Sequence, residues 1–146
     1  MSVDEAALAA IAANLAPALR PGDIIALSGD LGAGKTTFAR GILRGLGWAG
    51  EVPSPSFTLV QTYPTDPVLW HVDLYRLATP GDADALGLDD AWDSAVVVIE
   101  WPERLGDRLP ADALCLRLDG AGEVTRRLTW HLPPSWEGRW PPSLFR

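Results

Sequence analysis

Leu8, Ile11, Leu15 and Leu19 recur at three- and four-residue intervals, the spacing of one apolar helical face. Ser2 and Glu5 stand three apart ahead of that face. The pattern therefore predicts a first helix opened by a capping box at Ser2 and kinked or ended early by Pro17. Arg20-Pro21-Gly22-Asp23 is a turn, and the apolar run Ile24–Ser28 after it reads as a short buried strand. Gly29 to Thr36 reads as a loop entering a helix that runs from Lys35 to Leu46 and is closed by Gly47.

Beyond that helix the period changes from helical to alternating. Pro53-Ser54-Pro55-Ser56 is expected as an exposed loop, because two prolines cannot both sit in a hydrogen-bonded ladder. Phe57–Tyr63 and Val68–Asp73 read as strands joined across Pro64-Thr65-Asp66-Pro67. Pro80–Asp93 is an acidic segment, short-helical or irregular. Ala95–Glu100 is an apolar run ending in a carboxylate, the pattern of a central strand. Ala113–Leu118 and Val124–His131 form a predicted hairpin across Asp119-Gly120-Ala121-Gly122. Four prolines and two tryptophans between Pro133 and Arg146 predict an irregular tail.

Strands alternating with helices predict a single α/β domain built on a central mixed sheet with flanking helices. The 146 residues, 47% hydrophobic and 21% charged, suit one globular unit, read as residues 1–132 followed by a tail of residues 133–146. No repeats interrupt it. One cysteine, Cys115, excludes an internal disulfide framework and fits a reducing compartment such as the cytoplasm. No apolar run is long enough to span a bilayer, and Met1–Asp4 lacks the form of a secretion signal, so no membrane role is expected. The net charge of −7 makes the chain a poor autonomous binder of nucleic acid, though it leaves open action on RNA through a partner.

The charge inventory is sharper in one respect. Eleven of the basic residues are arginine and one, Lys35, is lysine. Arginine cannot replace lysine where a compact, rotatable ammonium is needed, which makes Lys35 a candidate for chemistry. It lies in Gly29-Asp30-Leu31-Gly32-Ala33-Gly34-Lys35-Thr36, an ungapped G-x-x-x-x-G-K-[ST] phosphate loop between a predicted strand and a predicted helix. The glycines let successive N–H groups converge on phosphate oxygens, and the helix N-terminus adds its partial positive charge. Lys35 would reach the β- and γ-phosphates of a nucleotide, and the Thr36 hydroxyl would ligate Mg²⁺.

A phosphate loop needs a carboxylate on a neighbouring strand end. Asp73 and Glu100 both qualify: one would hold Mg²⁺ directly or through water, the other orient the attacking water. Weaker signals read structurally. Asp82, Asp84, Asp89, Asp90 and Asp93 make a solvated acidic face, since Leu86 spoils the resemblance to a calcium loop. His71 and His131 read as packed or hydrogen-bonded histidines, and Cys115 as a core thiol. Trp101 either faces a base or packs.

The ordered set LSGDLGAGKTTFARG, VPSPSFTLVQTY, HVDLYRL, LGLDD and VVVIEWPERL resembles the bacterial TsaE (formerly YjeE) ATPases over roughly Ser2–His131. The resemblance implies a Mg²⁺-dependent P-loop ATPase serving synthesis of threonylcarbamoyladenosine (t6A) in tRNA. It implies ATP phosphates wrapped by Gly32, Ala33, Gly34, Lys35, Thr36 and Thr37, with Thr36 and Glu100 as Mg²⁺ ligands. Asp73 matches the essential acid of the HxDLYR strand, and Ser54–Thr58 a switch-like loop. Trp101 matches the tryptophan beside the site, and Arg127 a nucleotide-contacting arginine. Two departures are Ala6 and Ala7, where the family often has threonine near the base, and Ser56 in place of threonine in the switch loop. The implied partners are TsaB and TsaD, which grip the tRNA and are reset between turnovers by ATP hydrolysis, slow in the isolated ATPase. A small-molecule kinase and a nucleotide-gated binding module without turnover are the competing readings.

Overall fold

The computed structural model describes residues 1–145; Arg146, the end of the predicted tail, lies outside them. The chain runs β1 (Ser2–Val3), α1 (Glu5–Leu15), β2 (Ile24–Gly29), α2 (Lys35–Gly45), β3 (Val60–Tyr63), β4 (Leu69–Asp73), α3 (Leu88–Ala91), β5 (Val96–Glu100), β6 (Leu114–Asp119) and β7 (Arg126–His131). The strands form one sheet in the order β1-β7-β6-β2-β5-β4-β3. β2, β4, β5 and β6 are mutually parallel where they pair. The outer pairs β3–β4, β6–β7 and β1–β7 are antiparallel, so the sheet is mixed, as expected.

Alternation along the central strands sorts the core into two layers. Ile25 and Leu27 of β2, with Val96 and Val98 of β5, pack against α1 and α2. Ile24, Ala26, Val97 and Ile99 face the opposite layer, which holds α3 and the turn residue Leu105. Covered on both faces, β5 is buried from Val96 through Glu100. This accounts for an uninterrupted apolar run where a half-exposed strand would alternate.

Two local expectations are corrected. The helix cap is Asp4, whose side chain accepts from the Ala7 N–H at 2.7 Å. Ser2 instead pairs with Arg127 as an edge strand, because the sheet edge offers its backbone a ladder that a cap would forgo. The predicted strand Phe57–Tyr63 shortens to Val60–Tyr63. Leu59 has a φ of 66° and its N–H donates to Pro55 O at 2.7 Å, so the chain turns there and leaves Phe57 82% exposed.

The tail has neither α-helix nor strand among its described residues, yet it packs into the core. It forms short 3₁₀ turns, Pro134–Trp136 and Ser143–Phe145, and buries Trp136 and Trp140 in the α1–α2 layer. Indole rings carry enough apolar area to dock a segment that has no regular period of its own. Arg139 adds two bonds to the Asp23 carboxylate, at 2.6 and 3.0 Å, and stacks 4.2 Å over the Trp136 ring.

α1 and α2 approach closely along small residues. A Cβ on Gly41 would stand 2.7 Å from Ala12 Cβ and 2.8 Å from Ala9 O. Helix propensity alone would make Gly41→Ala stabilising by about 1 kcal/mol. The overlap is with backbone and cannot be relieved by a rotamer, so overpacking dominates. Gly41→Ala is expected to lower stability by about 1–2 kcal/mol in urea denaturation; an unchanged or higher midpoint would show that the helix pair is not in contact there.

Candidate functional site

The parallel core places three strand ends at one edge of the sheet. β2 runs into the glycine loop, β5 ends in Glu100, and β4 ends in Asp73, which is in register with Glu100. Neighbouring strands lie ~4.8 Å apart, so sheet order alone brings the two carboxylates side by side. Leu69, His71 and Asp73 share one face of β4 by alternation, and Val96, Val98 and Glu100 share the same face of β5. It is the face against α2.

The loop turns back over that edge through Gly34, whose φ of 110° disfavours any residue with a Cβ. Gly34 also provides no side chain to cap α2, which leaves the first-turn N–H groups of Lys35, Thr36 and Thr37 for an anion. A cavity of about 280 Å³ opens there. Residues 31–37, Asp73, Glu100, Trp101 and Arg126 line it, and α1 contributes Glu5 and Leu8 rather than Ala6 or Ala7.

Lys35, Asp73 and Glu100 are only 5%, 4% and 3% exposed. The Lys35 ammonium donates to the carbonyl oxygens of Gly29 and, at 3.0 Å, Asp30, and lies 4.2 Å from the centre of the Trp101 ring. Burial pushes its pKa below the ordinary lysine value, and Glu100, Glu103, Asp73 and Asp30 oppose that shift. The Thr36 hydroxyl stands 3.1 Å from each oxygen of Glu100. The Tyr75 N–H donates to Asp73 Oδ1 at 3.0 Å, while Oδ2 meets Ser56 and Ser54 only loosely, at 3.4 and 3.5 Å. Asp73 therefore has one oxygen fixed and one available.

This donor set fits a magnesium nucleotide. Adjacent oxygens of a Mg²⁺ octahedron are ~2.9 Å apart, close to the Thr36–Glu100 separation. Among the described residues no three His, Cys, Asp or Glu side chains form a cage for a metal. Mg²⁺ bound to a phosphate chain does not need one, because water and phosphate oxygens complete its shell.

Most of the residues singled out from the sequence converge here. Trp101 sits at the mouth in a left-handed conformation, φ 59° and ψ 50°, with Tyr75 packed 4.9 Å from its ring. Arg127 does not line the cavity; its neighbour Arg126 does. Along β7, Arg126 shares a face with buried Leu128 and so points toward the loop, whereas Arg127 points away. Arg126 Nη2 donates to Gly32 O at 3.3 Å, and its buried Nε has no hydrogen-bond partner. The spacing to Leu128 was the signal that could have distinguished the two arginines. Tyr75 was also missed, since it lies in a turn after β4.

The sequence and the fold both have relatives. The family described as threonylcarbamoyl adenosine biosynthesis protein TsaE matches residues 2–128. The Streptomyces coelicolor protein named tRNA threonylcarbamoyladenosine biosynthesis protein TsaE is 46% identical over 112 residues, covering 74% of this chain and 76% of its own. A Bacillus subtilis protein of the same name is 40% identical over 124 residues, covering 83% and 77%. The crystal structure of Bacillus subtilis YdiB aligns with a TM-score of 0.74 at 34% identity, over 89% of this chain and 83% of that one.

The lowered Lys35 pKa has a signed consequence. Between its folded value and 10.5 the unfolded chain holds the proton and the folded chain does not, so stability rises with pH through that window. Lys35→Met should lose this rise. Urea midpoints of both proteins, compared as pH approaches 10.5, should show the wild type gaining on the variant; parallel curves would mean that Lys35 is not desolvated.

Proposed function

The chain belongs to the TsaE family, and on that premise we propose that it is a Mg²⁺-dependent ATPase supporting t6A modification of tRNA. The observation that carries the reading is the grouping of the Thr36 hydroxyl, the Glu100 carboxylate and the Lys35 ammonium at one loop, with Asp73 in register beside them. In this reading ATP lies along residues 32–37. Lys35 leaves the Gly29 and Asp30 carbonyls for the β- and γ-phosphates, exchanging neutral acceptors for charged ones. Thr36 and Glu100 hold Mg²⁺, which supplies charge neutralisation to the phosphoryl group.

Asp73 then has the remaining task. Its fixed Oδ1 sets the carboxylate plane, and its loosely held Oδ2 accepts a proton of the attacking water and aims that water along the line of displacement. Ser54 and Ser56 are positioned to close over the same oxygen. Arg126 directs its unspent donor at the nucleotide, a task the family resemblance attached to Arg127. Trp101 and Tyr75 wall the site from solvent.

The partners in this reading are TsaB and TsaD, which hold the tRNA and are reset between turnovers by hydrolysis. The acidic chain, with a net charge of −7, leaves grip on the RNA to them. No helix among the described residues is long and apolar enough to cross a membrane.

Thr36→Ala and Glu100→Ala are expected to abolish the Mg²⁺-dependent part of ATP-analogue binding. Asp73→Asn should retain that binding and lower phosphate release by about 100-fold or more, the low end of what a positioned general base contributes. Added TsaB–TsaD should accelerate single-turnover cleavage by the wild type. Full hydrolysis by Asp73→Asn would remove Asp73 from the mechanism, and no response to TsaB–TsaD would remove the partner assignment.

A further inference from the structure

One buried polar group beside the site has no part in the mechanism above. His71, on β4 two residues before Asp73, is fully buried, 0% exposed, on the face of the sheet that carries Leu69, Val96 and Val98. A leucine or valine would suit that layer, and a buried imidazole is costly unless its polar atoms are used. One is used. Nε2 lies 2.6 Å from Glu100 Oε2, while Nδ1 has no hydrogen-bond partner. The tautomer follows from that asymmetry: Nε2 carries the proton and donates it to the carboxylate, leaving Nδ1 a bare lone pair. A proton on Nδ1 would be a buried donor with nothing to receive it, the costlier arrangement.

The geometry assigns His71 as the positioning residue for Glu100: it holds the carboxylate from within the core so that its oxygens face Thr36 and the metal. The assignment rests on the reading of Thr36 and Glu100 as Mg²⁺ ligands. Glu100 is gripped from two sides, by Thr36 at 3.1 Å from the loop and by His71 from the neighbouring strand. A Thr36 hydroxyl that lends a lone pair to a metal keeps its O–H for Glu100, and the His71 bond adds a second hold that comes from the buried neighbouring strand and not from the loop. A ligating carboxylate that is itself hydrogen-bonded keeps its orientation while its other lone pairs bind the ion. His71 touches neither nucleotide nor metal in this arrangement and acts through Glu100 alone.

The test uses the full chain and two variants, His71→Leu, which fills the layer without a donor, and His71→Gln, whose amide nitrogen can reach toward the position of Nε2. The readouts are binding of a fluorescent ATP analogue titrated with Mg²⁺ and in EDTA, and ¹⁵N NMR of the imidazole in the nucleotide-free protein. His71→Leu should need about 10-fold more Mg²⁺ or more for half-maximal binding, the scale of losing an outer-shell partner. Binding in EDTA should be unchanged, and His71→Gln should recover most of the Mg²⁺ response. The wild-type ring should be protonated at Nε2 and bare at Nδ1, with the Nε2–H signal displaced in Glu100→Ala.

A Mg²⁺ response in folded His71→Leu equal to the wild type, a His71→Gln response no better than that of His71→Leu, or a ring with no proton on Nε2 would each overturn the assignment. If His71→Leu does not fold, the glutamine variant and the ring tautomer decide it: a wild-type-like Mg²⁺ response in His71→Gln with Nε2 protonated supports it, and loss of that response overturns it. Wild-type binding that ignores Mg²⁺ would overturn the metal-site reading itself and so is distinguishable from a failure at His71.

Discussion

One ammonium and two carboxylates are buried in a single pocket, and the structure depends on how that cost is met. Each ion taken from water loses several kcal/mol of solvation unless it is closely paired. Lys35 is held by two carbonyl oxygens, a tryptophan face and the field of Glu100 and Asp73. Glu100 is held by Thr36 and His71, and Asp73 by the Tyr75 amide. The positive side remains short by one charge. Beside the pocket, the helix N-terminus that no side chain caps is open to an anion, and the proposed Mg²⁺-nucleotide would bring a cation to the carboxylates and phosphate oxygens to the helix.

The sheet supplies the pairing. A strand order with β5 between β2 and β4 sets the loop, Glu100 and Asp73 along one edge, and parallel direction makes all three arrive there together. The remaining elements pack behind that edge. α1 lies against α2 on a seam of alanines and glycines, and the two tail tryptophans close the same layer from below. The Asp23–Arg139 pair ties the tail to the turn that starts β2.

The strand-loop-helix around Lys35 was legible in the sequence because motif, apolar run and helix periodicity agree locally. Asp73 and Glu100 were legible as strand ends, each a carboxylate after an apolar run. Their adjacency was not, since register between β4 and β5 depends on strand order. The role of His71 was hidden for the same reason: its partner is on another strand. Arg126 was missed although alternation with Leu128 was available, because the resemblance to a family pointed one residue further. The packing of the irregular tail was not legible, because tertiary burial of Trp136 and Trp140 has no local period. Ser2 was drawn from a cap to a ladder by a sheet edge more than a hundred residues away.

The central claim is that Lys35 exchanges its carbonyl acceptors for nucleotide phosphates. Lys35 is the one lysine, so besides it only the Met1 α-amine is an ordinary target for an amine-directed acylating reagent. Peptide mass spectrometry can follow both sites during labelling with and without Mg-ATP. The account requires that Mg-ATP slow labelling of Lys35 while Met1 reacts at the same rate, and that the Lys35 adduct no longer bind nucleotide. Labelling of Lys35 at equal rates in both conditions, or an acylated Lys35 that still binds Mg-ATP, would contradict it.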